Sequence, residues 1–196
     1  MPRRTRNRIL HEALKIFSSK GIRETTIKDI ARAVGITEGA IYRHFDSKEQ
    51  IVKSLFINSA TEFYTHLNSA LSKAQNFEEA LRNLVQAFLN YAFTNPEAFK
   101  FINLFHYFKI DYELKLKDGK MPKDVVYEFF KSHEEINMEP EYATALFIGT
   151  LERIFLFYEI GFIDDIEEDI QEKAYRILLN IFESGVKGVR DEYREN

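Results

Sequence analysis

No cysteine and no tryptophan occur among the 196 residues. Without cysteine the chain can form no disulfide, no thiolate metal site and no cysteine nucleophile. The missing thiols fit a reducing compartment. No run of about 18 apolar residues is present, so nothing reads as a membrane span. The opening Met-Pro-Arg-Arg-Thr-Arg-Asn-Arg is basic. It leads into a polar–apolar helical pattern, whereas a secretory signal needs an unbroken apolar core. The expectation is a cytoplasmic protein with no membrane partner. There is also no Gly-rich phosphate loop, no His-Glu-x-x-His and no Gly-x-Ser-x-Gly. The nearest approach to an acid–base or metal cluster is His133-Glu134-Glu135. It lacks paired ligands at helical spacing and reads as a solvated helix face. No enzyme activity, metal or cofactor is expected. Alternating strand patterns, internal repeats and low-complexity tracts are missing as well.

What is present is aromatic bulk, 18 Phe and 10 Tyr, in a chain that is 45% hydrophobic and 30% charged. That balance is globular, and the length suits a small domain with a larger one behind it. The net charge of −4 argues against a polyanionic partner, but its distribution does not. Residues 1–55 hold 12 Lys and Arg against 6 Asp and Glu, a net of +6. The remaining residues hold 15 basic against 25 acidic, a net of −10. A basic head on an acidic body suits phosphate binding with counterion release. Short segments also deviate by several charges through chance, so charge alone does not establish the function.

The periodicity predicts an all-α chain of about nine helices. Ile9, Leu10, Ala13, Leu14 and Phe17 share one face of a helix over 5–20, stopped by Gly21. Thr26, with Asp29 three residues on, caps a short helix from Ile27 to about Val34. Gly35 breaks it. Thr37 caps a third helix through Phe45, and Asp46 or Ser47 caps a fourth, from Lys48 to about Lys73. A fifth spans Phe77 to Phe93, and a sixth Pro96 to about Phe108. The polar stretch Lys115–Pro122 reads as a loop. Three more helices follow, over Pro122 to Asn137, Pro140 to Ile160 and Ile166 to Val189.

The informative stretch is Thr25–Lys48, two short helices around a tight turn at Gly35. This is a helix-turn-helix plan, in which the second helix enters the major groove of double-stranded DNA. Ile27, Ile30, Ala31 and Val34 form the buried side of the first helix, with Ile41 and Phe45 that of the second. Ile36 plugs the gap between them. The outer face is left to Thr37, Glu38, Gly39 and Ala40 at the helix start, where free N–H groups suit phosphate. Tyr42 and His44 carry donors, and Arg43 is the side chain on this helix able to read guanine in bidentate fashion. His44 reads equally as a DNA contact or a structural hydrogen-bonding residue. The ammonium of Lys48 has the reach for a phosphate. Helix-glycine-helix patterns are also common as plain packing.

These residues resemble the TetR family of bacterial regulators. The resemblance covers residues 5–55 and rests on Phe17, Gly21, Thr25-Thr26, Asp29-Ile30-Ala31, Gly35, Thr37, Gly39, Ile41-Tyr42, His44-Phe45 and Lys48-Glu49. It implies an N-terminal three-helix DNA-binding domain over 1–48 and a helical ligand-binding and dimerisation domain over 49–196. It further implies that Thr26 caps its helix and contacts phosphate, with Thr25 beside it. Thr37, Gly39, Tyr42, His44 and Lys48 would contact the DNA backbone. Glu38, Ala40 and Arg43 would help set the sequence read. Glu38 departs from the Lys or Ser common at its position. An acid facing phosphates must accept from a cytosine amine or pair with Arg43. The arm around Arg4, with Arg3 and Arg6, offers further backbone or minor-groove contacts, though Arg4 also reads as a plain solvated charge.

The resemblance implies a homodimer through the last two helices, matched to an inverted-repeat operator. Leu146, Thr150 and Ile154 on one, and Ile177 and Ile181 on the other, are the dimer candidates; an intrachain core would show the same stripe. The expected function is a repressor released by a small apolar or amphipathic effector. Phe63, Leu67, Phe88, Tyr91, Phe105, Phe108, Phe130, Phe147, Leu151 and Phe155 are the ligand candidates, since pockets are mostly apolar and aromatic. Aromatics at helical spacing also read as ordinary core. The alternative function is a DNA-associated architectural protein with no small-molecule sensor. Binding at many genomic sites without ligand response would distinguish it.

Overall fold

The computed structural model describes residues 2–72, 74–107, 119–133, 136 and 138–188. The described residues are all-α, with nine helices and no strand. They run α1 (Pro2–Lys20), α2 (Ile27–Val34), α3 (Glu38–Tyr42), α4 (Lys48–Leu71), α5 (Phe77–Thr94), α6 (Pro96–Tyr107), α7 (Pro122–Lys131), α8 (Pro140–Glu159) and α9 (Glu167–Gly188). The chain divides into two compact units, residues 1–62 with 95–118, and 63–94 with 119–196. The position after residue 48, where the sequence suggests a boundary, falls inside the first unit.

The first unit is built on α1. Ile9, Ala13 and Phe17, at four-residue spacing, are fully buried. Ile30 from α2, Ile41 from α3, Phe45 and Ile51 complete that core. Phe17 also stacks on Phe101 of α6, ring centroids 6.0 Å apart. Removing so large a buried ring costs about 3–5 kcal/mol. In the second unit α5 lies buried along most of its length and packs on α9 and α8. Arg82 of α5 pairs with Glu172 of α9 and lies 3.9 Å from the Tyr175 ring centroid. Gln171 Nε2 donates to Asn90 Oδ1 at 2.7 Å. Arg176, and then Arg82, hold the Glu172 carboxyl below the usual carboxylate range.

Three helix boundaries differ from the sequence expectation by three residues or more, each for a local reason. Helix α1 starts at Pro2, because proline's missing N–H is harmless in a first turn. Helix α3 ends at Tyr42 rather than Phe45. The His44 N–H closes on Ile41 O at 2.8 Å, an i→i+3 bond that tightens the last turn. Helix α7 ends at Lys131 rather than Asn137. There the Ser132 hydroxyl and His133 Nδ1 both donate to Phe129 O, at 2.8 and 2.7 Å, satisfying a last-turn carbonyl from the side. Of the two candidate caps for α4, Ser47 serves: its Oγ accepts from the Gln50 N–H at 3.3 Å. Phe108, residues 109–118 with Lys109, Lys115 and Lys117, Glu134-Glu135, Asn137 and Val189 lie outside the described residues.

Candidate nucleic-acid interface

The recognition region is assembled by caps. Thr26, extended at φ −107° and ψ 161°, accepts the Asp29 N–H on its Oγ1 at 3.2 Å. The Asp29 carboxylate accepts the Thr26 N–H at 3.0 Å and the Thr26 hydroxyl at 2.9 Å. Lys20, at the end of α1, donates to the same carboxylate at 2.8 Å. The Lys20 bond, then the Thr26 amide and hydroxyl, hold the Asp29 carboxyl far below the usual range. Gly35 closes α2 at φ 74° and ψ 38°, and Ile36 N–H returns to Ala31 O at 3.0 Å. That left-handed turn costs an L-residue about 1–2 kcal/mol, which glycine avoids. Thr37 then caps α3, its Oγ1 accepting the Ala40 N–H at 3.2 Å.

This turn directs Ile41 inward, fully buried, and Tyr42 outward, 51% exposed. Thr26, Thr37, Glu38, Gly39 and Arg43 share the exposed class with Tyr42, while Ala40 and His44 are half-buried. Hence α3 offers solvent a face that ends in a phenol, a guanidinium and a carboxylate. Glu38 and Arg43 form no ion pair with one another, which leaves both available to an external partner. At Gly39 an added Cβ would meet only Thr37 Oγ1, at 4.0 Å. Helical glycine costs about 1 kcal/mol against alanine, and among the described residues no close packing accounts for that loss.

Some expected contacts are placed elsewhere. Thr25 is fully buried, and its hydroxyl donates to Gly21 O at 2.6 Å. This corrects its placement among the DNA-facing side chains: it shapes the α1–α2 loop instead. Arg4 is exposed, but it lies in the first turn of α1 and not on an extended arm. Arg6 is not free. Its Nη2 donates to Ser54 Oγ at 3.2 Å, and its guanidinium lies 4.8 Å from the Phe45 ring centroid. Arg8 Nη2 likewise donates to Val34 O at 2.8 Å. Part of the basic excess therefore braces α1 against its neighbours. Lys48 is half-buried, with its ammonium donating to Ile22 O at 2.9 Å and Thr25 O at 3.0 Å.

In the second unit the ligand candidates Phe63, Leu67, Phe88, Tyr91, Phe130, Phe147, Leu151 and Phe155 are all buried. The side chain of Phe105, and all of Phe108, lie outside the described residues. The rings touch each other: Phe63 stacks on Tyr91 at 4.5 Å and meets Phe88 at 5.2 Å. Phe147 then joins Phe88 at 5.9 Å and Phe130 at 6.0 Å. A cavity of about 380 Å³ in this unit is lined by other residues, among them Tyr64, Asn68, Leu71, Asp124, Phe129 and His133. The sequence reading missed it because small residues open it: Ala74 and Ala80 sit in its wall. Among the described residues no three His, Cys, Asp or Glu are placed to hold a metal ion.

Of the dimer candidates, Ile177 is exposed on α9, while Leu146, Thr150, Ile154 and Ile181 are half-buried. The more exposed face of α8 carries Tyr142, Ala145, Gly149, Arg153 and Leu156. It leads to Ile160, Phe162 and Ile166, all well exposed around the α8–α9 turn. Phe157 and Phe162 meet there, ring centroids 5.1 Å apart. Small residues four apart, Ala145 and Gly149, are the sequence signal that could have found this face.

Comparison with known proteins agrees with the geometry. Residues 9–55 match the family model of bacterial regulatory proteins, tetR family. The transcriptional repressor KstR2 of Rhodococcus jostii is 32% identical over 80 residues, 41% of this chain and 39% of that protein. The transcriptional regulator TtgR of Pseudomonas putida is 41% identical over 66 residues, 34% of this chain and 31% of that protein. These matches span well under half of either relative. The TetR-family regulator PfmR of Thermus thermophilus superposes with a TM-score of 0.72 at 23% identity, covering 90% of this chain and 95% of that one. The resemblance read from the sequence holds: residues 9–55 match the tetR family, and the chain has the fold of TetR-family regulators. Among the described residues no helix is long and apolar enough to cross a membrane.

Proposed function

We propose that the chain is a DNA-binding transcriptional regulator, a repressor that binds an inverted-repeat operator as a homodimer. The observation that carries this reading is the capped α2–α3 pair, which buries Ile41 and Phe45 and turns Thr37, Gly39, Tyr42 and Arg43 to solvent. In this reading residues 1–48 bind DNA and residues 49–196 dimerise and sense. Thr26, Thr37, Tyr42 and His44 contact the backbone, and Gly39 lets it approach. Arg43, Glu38 and Ala40 set the sequence, and Arg4 adds charge at the edge. Dimerisation uses α8 and α9, where the exposed apolar surface around Leu156, Phe162 and Ile177 would be costly to leave in water. A protein working on the chromosome does so in the cytoplasm.

The regulatory mechanism is a population shift. An apolar or amphipathic effector that prefers one spacing of the two recognition helices lowers operator affinity by its differential binding. Helix α4, which has residues in both units, is the lever. The aromatic cluster around Phe63, Phe88 and Phe147, and the buried Leu67, Leu151 and Phe155, must part to admit such a ligand, unless the ligand uses the cavity lined by Tyr64, Asn68 and His133.

The test is selection of genomic DNA fragments by the purified chain, followed by sequencing. A few sites that share one inverted repeat support the proposal. Diffuse recovery with no motif, unchanged by candidate effectors, supports the architectural alternative.

A further inference from the structure

Lys48 is the first residue of α4, where the helix macrodipole disfavours a cation. Its ammonium does not stay there. It reaches back across 23 and 26 residues of sequence to the carbonyls of Thr25 and Ile22, at 3.0 and 2.9 Å. Both carbonyls belong to the α1–α2 loop, and both residues are buried. Loop carbonyls in such surroundings need donors. The Thr25 hydroxyl serves Gly21 O at 2.6 Å, and Lys48 serves the next two. The loop so held presents Thr26, the cap of α2. One side chain thus ties the start of α4 to the start of the helix-turn-helix.

Resting on the DNA-binding reading above, we infer that Lys48 is a positioning residue: its ammonium latches the first turn of α4 to the α1–α2 loop and fixes the placement of α2 and α3. An ammonium carries three N–H donors. Two of them serve the loop carbonyls and the third is left for an acceptor outside the chain, so the latch stands whether or not a phosphate is also contacted.

Amine labelling of the wild-type chain without DNA, read peptide by peptide by mass spectrometry, tests the latch directly. Lys48 should label about tenfold more slowly than the exposed Lys28 and Lys53, since it must open locally first. Labelling at their rate would overturn the inference. The second arm is Lys48→Met, which keeps the stem and removes the ammonium. Amide exchange across residues 22–30 should quicken, and affinity for a selected operator should fall about tenfold. Unchanged exchange, with a slope of log K against log salt reduced by about one, would leave Lys48 a phosphate contact alone and overturn the latch. If Lys48→Met does not fold, the wild-type labelling decides alone. If the wild-type chain shows no salt-dependent DNA binding, the DNA reading fails, and labelling and exchange still judge the latch.

Discussion

Thr26 and Asp29 cap each other. The threonine oxygen takes the Asp29 N–H at 3.2 Å, and the aspartate takes the Thr26 N–H at 3.0 Å. Lys20 closes on the same carboxylate from the end of α1. The start of α2 is therefore fixed by three side chains from two elements, before any DNA is involved.

Replacing Thr26 with alanine removes the cap acceptor. Thermal or urea unfolding should show a loss of about 1 kcal/mol. If stability does not change, the cap does not hold α2.

The same cluster sets a pH dependence. Asp29 is held far below its ordinary value of 3.8 in the folded chain, first by Lys20 and then by Thr26. A depressed carboxyl contributes stability that is complete above the unfolded value and lost as pH falls through the folded one. Below about pH 4 the wild-type chain should lose stability faster than Asp29→Asn. Urea midpoints at several pH values check this; parallel curves for the two proteins contradict it.

Glu152 on α8 behaves in the opposite sense. Burial raises its carboxyl above the usual value, and Arg153 only partly offsets that. A raised acid costs stability wherever it is ionised, so Glu152→Gln should unfold at a higher temperature at neutral pH. That advantage should shrink as pH falls through the folded value. An advantage independent of pH would assign it to packing instead.

Gly39 separates folding from function. With only Thr37 Oγ1 near the added methyl, Gly39→Ala should gain up to about 1 kcal/mol of stability from helix propensity. If DNA approaches the backbone there, operator affinity should fall about tenfold in the same variant, close to 1.4 kcal/mol. A stabilised variant that binds DNA as well as wild type would remove Gly39 from the interface.

Arg43 should behave as a base reader. Arg43→Ala should cost about 1–3 kcal/mol on the preferred site and relax the choice at one position of the repeat. Repeating the fragment selection with the variant measures both. A uniform loss across all sequences would make it a phosphate contact.

The sequence made the head legible because its signals are local. The Thr26–Asp29 box, the left-handed Gly35 and the Thr37 cap each act within four residues, and the structure has all three. Thr25 was misplaced because its neighbour Thr26 has the same chemistry and the opposite exposure. The roles of Arg6, Arg8 and Lys48 depend on partners more than twenty residues away, which spacing along the chain does not reveal. In the second unit a stripe of Phe looks the same whether rings fill the space or line it. Phe88 meets both Phe63 and Phe147, and the cavity is lined by other residues, Ala74 and Ala80 among them.

The most direct test of the central claim is a chemical footprint of the purified chain on a selected DNA site, with wild type and Tyr42→Ala compared. The account predicts two protected major-groove patches, about one helical turn (~10 bp) or a multiple apart, symmetric about the centre and weakened together in the variant. Protection without discrete patches, or patches indifferent to Tyr42, would contradict a dimeric regulator that reads DNA with α3.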